Sequence, residues 1–480
     1  MRLAHPLVVP WIRLDRDPAA EAEVALRRAK EPWLAGFCLF GGEAEGVRRL
    51  TERLRDAAGR PIFVASDMER GAGQQVRGLR VLPDAGVWGV GATPAEVESF
   101  GEATARDARS VGVDVLFAPV LDVRSEPSNP IVGNRAFGWD PDRVAELGAA
   151  FVRGALAGGC APTAKHWPGH GATTADSHDA VPVVAESRSR LSERDLWPFE
   201  GALLHGCPAV MTAHVAYPAL DASGAIATFS TPIVAEVRAM AKSLGRRLTV
   251  FTDALLMAGA LGEGGETEAA RRSLRAGCDA LLIPSDPERL AAELLVDAST
   301  TLAAKAEEAA RGIHSLIATI GALGVPPPGS DAHLAGVSAR VADRALRLRG
   351  GQGIDPLGKG DVLVVVDDDD TPDRGLVLAR RGAAAGVEVR VVRMEKGVPQ
   401  VPVPATVVPA VVVLMASVRA WKGTSNASQG ATDLAASLVR RAAGRAQLVA
   451  LTPRRGAANV HVPGTGPDVE EALADRFFGA

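Results

Sequence analysis

The sequence is short of several things. Aromatic residues make up 4% of it, there are only four cysteines, and no basic block stands out. No apolar run is long enough to span a bilayer. Each shortage excludes a class. Cys38, Cys160, Cys207 and Cys278 lie too far apart to supply a zinc ribbon or finger. Four cysteines in a chain this large do not make a disulfide framework, so reduced, buried thiols are expected. Residues 1–30 meet Pro6, Pro10, Asp15 and Asp17 before any long apolar run. No signal-peptide core forms there, and a cytoplasmic location is expected. The formal net charge is −4, so neither nucleic acid nor a membrane is an expected partner. The low aromatic content accompanies abundant Ala and Gly, a compositional bias that points to no function.

What is present is a long run of globular chain. Its 480 residues, 47% hydrophobic and 23% charged, suggest two or three domains. Eight short apolar segments read as strands: 7–14, 36–41, 61–67, 113–123, 160–166, 208–214, 247–253 and 278–285. Amphipathic helical patterns separate them near 18–30, 44–58, 94–111, 141–158, 188–205, 231–244 and 266–276, with another at 287–321. Continuous apolar strands alternating with helices predict a parallel sheet covered on both faces, and eight such units fit an α/β fold of the (β/α)8 TIM-like type. Strand ends carry Asp67, Asp122, His166, His214, Asp253 and Ser285. In such barrels that end is the active-site face.

A Pro- and Gly-rich stretch, ALGVPPPGSDAHLAG at 322–336, punctuates the chain. It divides a catalytic barrel, 1–325, from a smaller C-terminal α/β sandwich, 341–480, with a linker at 326–340. Strand-like runs at 362–367, 387–392, 407–416 and 447–452, and helical runs at 373–385 and 429–443, support the second domain. The acidic run Asp367 to Asp370 reads as a solvated loop before a helix start near Thr371–Pro372. There is no repeat of solenoid period.

Five of the nine histidines (His166, His170, His178, His205 and His214) fall between 166 and 214. The densest stretch, KHWPGHGATTADSH at 165–178, contains Pro and Gly and is a loop, so a helical zinc motif is excluded. Asp176 and His178 are one residue apart. A carboxylate so placed fixes an imidazole's tautomer and raises its basicity, giving an acid/base pair that works near neutral pH. Structural or metal-binding histidines are the alternatives, and the Gly and Pro of a strand-end loop favour substrate contact.

Four segments in order resemble glycoside hydrolase family 3, and most closely its bacterial β-N-acetylglucosaminidase branch, over residues 1–325. They are VDVLFAPVLDVRSEPSNPIVGNRAFGWD (113–140), the 165–178 loop, AVMTAHVAYPALD (209–221) and FTDALLM (251–257). The sequence departs from the family pattern at Trp167, where Phe is usual, and at Ala254, which is often Asp. It also departs in DMERGAGQQVR (67–77), two residues longer than the usual DQEGGRVQR.

The resemblance implies a retaining exo-β-N-acetylglucosaminidase without metal or other cofactor, acting on a small GlcNAc-containing glycoside, in muropeptide recycling. Asp253 aligns with the nucleophile, although an Asp at a strand-to-helix turn also suits a helix N-cap. His178 aligns with the acid/base of this branch and Asp176 with its partner. Asp67, Lys165, His166, Arg135 and Arg77 align with sugar-binding positions, and His214 is a further pocket residue. His170 is expected to fix the loop. Phosphorolysis, and β-glucosidase or β-xylosidase activity, are the alternatives, and a non-catalytic sugar-binding protein is a further one. The second domain is expected to supply no catalytic residue, and the chain to be a monomer or weak homodimer.

Overall fold

The computed structural model describes residues 4–174, 181–257, 259–261, 264–294, 296, 299–324, 331–349, 354–368, 374–395, 398–416, 427–442, 446–452, 458, 460–462 and 464–479, with 331–335 as backbone. The chain forms two units. One comprises Met1–Arg80, Pro94–Glu126 and Trp139–Ser330, and the other Val81–Thr93, Pro127–Gly138 and Asp331–Ala480.

The first unit carries strands β1 (Val8–Val9), β2 (Trp11–Arg13), β3 (Gly36–Phe40), β4 (Phe63–Ser66), β5 (Val115–Leu116), β6 (Ala161–Trp167), β7 (Ala209–Thr212), β8 (Thr249–Phe251) and β9 (Leu281–Leu282). All pairings are parallel. β2 to β8 pair in chain order as one seven-stranded sheet, and β1 pairs with β9. Single bridges join Phe251 of β8 to Ala280 ahead of β9, and Val8 of β1 to Leu34 ahead of β3, so the two-stranded pair meets both ends of the strand series. The sheet is therefore a curled, TIM-like one. The predicted first strand, 7–14, is interrupted at Pro10, which has no N–H for a ladder.

The helices in chain order are α1 (Pro18–Ala29), α2 (Ala44–Ala58), α3 (Ala85–Gly91, in the second unit), α4 (Pro94–Ser110), α5 (Pro141–Ala157), α6 (Arg188–Leu191), α7 (Trp197–Leu204), α8 (Thr231–Ser243), α9 (Gly265–Ala276), α10 (Pro287–Glu293) and α11 (Thr300–Leu323). The predicted 287–321 helix is in fact two, because Ser299 caps a new start by accepting from Leu302 N at 3.3 Å. No helix among the described residues is long and apolar enough to cross a membrane.

Period-two alternation sorts the strand side chains. Ala209 and Met211 of β7 join Phe63, Phe117 and Phe251 in the interior cluster, while Val210 packs outward with Phe199 and Val237 of α7 and α8. Phe251 meets Phe63 and Phe117 edge-to-face at 5.9 and 5.3 Å between ring centres, so the interior is filled rather than open. All four cysteines are free and buried.

Two latches tie strand starts together. Asp114 accepts from Val64 N (3.0 Å) and Arg55 (2.8 Å), and Arg55 also donates to Gly112 O at 2.7 Å. Asp279 accepts from Val250 N (2.7 Å) and Arg238 (2.6 Å), and Arg238 also donates to Gly277 O at 2.6 Å.

Helices α4 and α5 meet through glycines. A Cβ on Gly154 would lie 1.9 Å from the Glu98 carbonyl oxygen, whereas one on Gly46 of α2 would meet nothing within 4 Å. Both sites gain helix propensity on becoming Ala, by about 1 kcal/mol. At Gly154 the clash is with backbone and dominates, so Gly154→Ala is expected to destabilise by roughly 1–3 kcal/mol while Gly46→Ala stabilises. Urea midpoints at unchanged m-value check both signs.

The second unit holds strands β10 (Val362–Asp367), β11 (Glu388–Glu395), β12 (Val398–Pro399), β13 (Val411–Met415), β14 (Gln447–Leu451) and β15 (Val460–Val462). They form one sheet in the order β12-β11-β10-β13-β14-β15, parallel except at the β11–β12 edge. Its helices are α12 (Asp331–Leu348), α13 (Leu376–Ala385), α14 (Gln429–Arg441) and α15 (Pro467–Phe478). Ala431, Ala435 and Leu438 of α14 pack on Val364, Val366, Val412 and Leu414. Alternate residues serve α13, where Gly375 lies against Val365 and Val391, and Gly382 against Val389 and Phe478. The two early segments are bound in by polar contacts: Asp84 accepts from Thr465 N and Asn134 Nδ2, each at 2.7 Å.

Part of the stretch expected as a linker, 331–340, is the start of α12. Val337, Val341 and Ala345 are buried at a spacing of four, a helical stripe that the neighbouring Pro and Gly residues conceal in the sequence. Asp367 also differs from expectation. It is fully buried and paired with Arg393 at 2.7 Å, and the run continues into Asp368, which accepts from Ser428 N. The helix start expected at Thr371–Pro372 lies outside the described residues.

Candidate active site

The C-terminal ends of the first unit's strands gather most of the expected polar residues. At β6 the register against β7 shifts: Lys165 pairs with Met211, and Trp167 with Thr212. His166 is the extra residue. Such a bulge re-aims side chains, so adjacent Lys165 and His166 are each bound to a neighbouring strand end.

Lys165 is buried. Its Nζ lies 2.7 Å from Asp67 Oδ1 and 2.7 Å from Glu69 Oε1. One ammonium thus faces two carboxylates, and Asp67, whose side chain is 31% exposed, presents the accessible one. A carboxylate held beside an ammonium suits a sugar diol, since it accepts hydroxyl hydrogens while the cation donates.

His166 is held from behind. Its Nδ1 lies 2.7 Å from Asp122 Oδ2 and its backbone N donates to Asp122 Oδ1 at 3.1 Å. His170 N donates to the same oxygen at 2.6 Å. Burial opposes ionisation of Asp122, but His166 and His170 outweigh it and hold the carboxyl below its ordinary range. Burial pushes the His170 imidazole down to about 4, so it is neutral near pH 7. Its Nδ1 is 2.9 Å from Thr173 Oγ1, and it fixes the loop as expected.

Asp253 follows β8 directly. Its Oδ1 accepts from Ala254 N at 2.8 Å. Burial raises its pKa, yet His166, His214, the Ala254 N–H and Lys165 together hold it below the ordinary Asp value. No helix starts there, since α9 begins only at Gly265, so the N-cap alternative is not realised. A carboxylate held below its ordinary range at a strand end has the electrostatics of a nucleophile or an oxocarbenium stabiliser.

Other expected residues fall elsewhere. His214 is fully buried, with Nδ1 2.8 Å from Thr228 Oγ1 and Nε2 donating to Ala254 O at 3.1 Å. It supports the turn after Asp253 rather than offering a nitrogen to a ligand. The Arg77 guanidinium pairs with Glu43 at 2.5 Å, and both side chains are about two-thirds exposed. Arg135 belongs to the second unit, in a short turn Gly133–Arg135, where its Nη1 donates to Ile131 O at 3.2 Å. Asp176 and His178 lie outside the described residues. Glu69 went unnoticed in the sequence although it stands two residues after Asp67. Asp122 was noticed only as a polar strand end. Among the described residues, no three His, Cys, Asp or Glu side chains group so as to hold a metal ion.

Comparison with known proteins fits this geometry. Residues 19–316 match the glycosyl hydrolase family 3 N-terminal domain. A β-hexosaminidase of Neisseria meningitidis serogroup C is 34% identical over 273 residues, which are 55% of this chain and 74% of that protein. NagZ from Neisseria gonorrhoeae, solved with N-trifluoroacetyl-D-glucosamine, is similar with a TM-score of 0.55 and 30% identity, covering 71% of this chain and 98% of that one. A family 3 β-N-acetylglucosaminidase from Paenibacillus sp. str. FPU-7 shares the fold over 98% of this chain and 95% of its own, with a TM-score of 0.81 at 24% identity. With the family's N-terminal domain matched across more than half its length, the chain belongs to glycosyl hydrolase family 3 and is a glycoside hydrolase.

Proposed function

We propose that the protein is a retaining exo-β-N-acetylglucosaminidase that removes a terminal, non-reducing β-linked GlcNAc. The observation that carries this reading is Asp253, ionised among His166, His214 and Lys165 beside the Lys165–Asp67 pair. The β-hexosaminidase relatives supply the sugar. In the first step an Asp253 oxygen bonds to C1, the C1–O bond to the aglycone breaks, and His178 protonates the departing oxygen. In the second, His178 takes a proton from water, the water oxygen bonds to C1, and the Asp253 ester breaks. Asp176 orients His178. Asp67, Lys165 and His166 hold the sugar hydroxyls, and Arg135 is the remaining sugar-binding residue proposed. With β1 and β2 counted as one strand broken at Pro10, the first unit's parallel strands form a (β/α)8 barrel, and the second unit is an α/β sandwich without catalytic residues. A cytoplasmic role on cell-wall muropeptide fragments completes the proposal.

The test is chromophore release from an aryl β-N-acetylglucosaminide beside the aryl β-glucoside, with and without phosphate. Release from the N-acetyl substrate in phosphate-free buffer is expected. Release only with phosphate would replace hydrolysis by phosphorolysis, and preference for the glucoside would replace the sugar. His178→Ala is expected to lower kcat/KM on poorly activated leaving groups by about 10²–10⁴-fold, and far less on dinitrophenolate, which needs no proton.

A further inference from the structure

Residues 169–186 connect β6 to α6. Two pairs of adjacent residues, from two different places in the chain, each reach both ends of this connection. The first pair is Ala216–Tyr217, after β7. The Tyr217 hydroxyl donates to Gly169 O at 2.6 Å. Ala216 N donates to Pro182 O and Ala216 O accepts from Val184 N, both at 2.9 Å. The second pair is Arg194–Asp195, in a π-type turn, Ser192–Leu196, between α6 and α7. Asp195 packs on Gly169, whose Cα carries φ +132° and where an added Cβ would meet Asp195 Cβ at 2.8 Å. Arg194 Nη1 donates to Glu186 Oε1 at 3.0 Å, and Arg194 Nε to Asp195 Oδ2 at 3.0 Å.

The second pair is costly. Both side chains are almost fully buried, while Glu186 is 41% exposed. Asp195 Oδ1 has no hydrogen-bond partner among the described residues. A buried ion pair is commonly no more stable than an apolar replacement, so stability alone is a weak reason to keep one here. Turns of this wide kind recur at functional sites, and this one directs two consecutive charged residues inward at the connection that leaves His166 and His170.

We propose that Arg194 and Asp195 are positioning residues, a buried ion pair that holds the two ends of the 169–186 connection together and so fixes the acid/base group that the connection carries. The proposal rests on the reading of His178 as that group. Neither residue touches the sugar. Asp195 sets the near end at Gly169, Arg194 sets the far end at Glu186, and Tyr217 and Ala216 brace the same two ends.

The pH dependence has a stated sign. Burial pushes the Asp195 carboxyl up to about 6 against the pull of Arg194, with Asp122 and Glu186 adding to the push. Tyr217 also faces it. As pH falls through 6, Asp195 is protonated and Arg194 loses its counter-charge. The rate on a substrate that needs protonation then loses a limb near pH 6 that Asp195→Asn lacks.

The experiment uses the full chain and compares kcat/KM for 2,4-dinitrophenyl and alkyl β-N-acetylglucosaminides. The variants are Asp195→Asn, Glu186→Gln and Tyr217→Phe, with His178→Ala as the reference. Each strap variant is expected to lose about tenfold on the alkyl substrate and less than about twofold on the dinitrophenyl one. Equal losses on both, or no loss, would overturn the proposal, because general damage does not discriminate between leaving groups. If Asp195→Asn does not fold, Glu186→Gln at the surface and Tyr217→Phe, lacking one hydroxyl, carry the test. If His178→Ala itself fails to discriminate, the acid/base reading falls and the strap's role falls with it. If His178→Ala discriminates and the strap variants do not, only the strap falls.

Discussion

Asp253→Asn is expected to lower kcat/KM on an aryl β-N-acetylglucosaminide by about 10⁴-fold, with the fold intact. The amide has the carboxylate's shape, and its oxygen still accepts from Ala254 N, as Oδ1 does at 2.8 Å. What it loses is the negative charge that His166, His214 and Lys165 surround. The missing quantity is nucleophilicity, so substrate binding is expected to change little. Asp253→Ala with azide extends the test, because a small anion in the vacated space attacks C1 from the same side and yields a glycosyl azide of inverted configuration. A variant that keeps a percent-level rate, or azide without effect in the Ala variant, would move the nucleophile elsewhere. The pH dependence follows from the lowered pKa. Asp253 stays ionised throughout the neutral range, and its contribution to rate is lost only as pH falls below the ordinary carboxylate range. The same sign governs stability: the contribution is present above the unfolded-state value and is lost as pH falls through the folded one. Asp253→Asn removes that acid-side dependence.

Lys165→Met is expected to be the most damaging substitution for stability. The ammonium sits 2.7 Å from each of two carboxylates, and Glu69 is nearly as buried as Lys165 itself. Methionine fills the space but leaves two facing anions, at a cost of about 3–5 kcal/mol. Adding Glu69→Gln removes one of the two anions and is expected to restore a large part of the stability, a non-additivity that a double-mutant cycle measures. It should not restore activity. The hydroxyl anchor needs Asp67 oriented by a cation, and kcat/KM is expected to stay about 10²-fold down in both variants. Recovery of activity together with stability would make Lys165 a structural residue only.

Much of the first unit was legible in the sequence. The strand runs ending at Asp67 and Asp253 are largely apolar, and helix α2 occupies the predicted 44–58. The Lys165–Asp67 pair is a long-range contact between two strand ends, and each member was named. The supports were not legible. Glu69 and Asp122 act through partners far away in the chain, and no local spacing announces such a partner. The partner of Arg77, Glu43, stands 34 residues earlier and was equally hidden in the sequence. His214 looked like a pocket residue by its strand-end position, but both ring nitrogens are engaged under the turn after Asp253. The second unit was harder to read. β15 is three residues long, and α12 begins beside a Pro-rich stretch.

The two latches at the strand starts have a counterpart at the other end. GVDVLFAP (112–119) and GCDALLIP (277–284) place the latch aspartates Asp114 and Asp279 just ahead of β5 and β9. Their partners Val64 and Val250 lie on β4 and β8. The step between the two copies is four strands, from β5 to β9 and from β4 to β8. The repetition that this describes carries Val64 onto Val250, and three residues further on it carries Asp67 onto Asp253. The carboxylate assigned to grip the sugar and the one assigned to attack it therefore occupy one position in two halves. Lys165 neutralises the first by direct contact, while the second is held below its ordinary range by more distant neighbours and by the Ala254 N–H on Oδ1. The division between a binding group and a reacting group is made by what the rest of the ring presents to each.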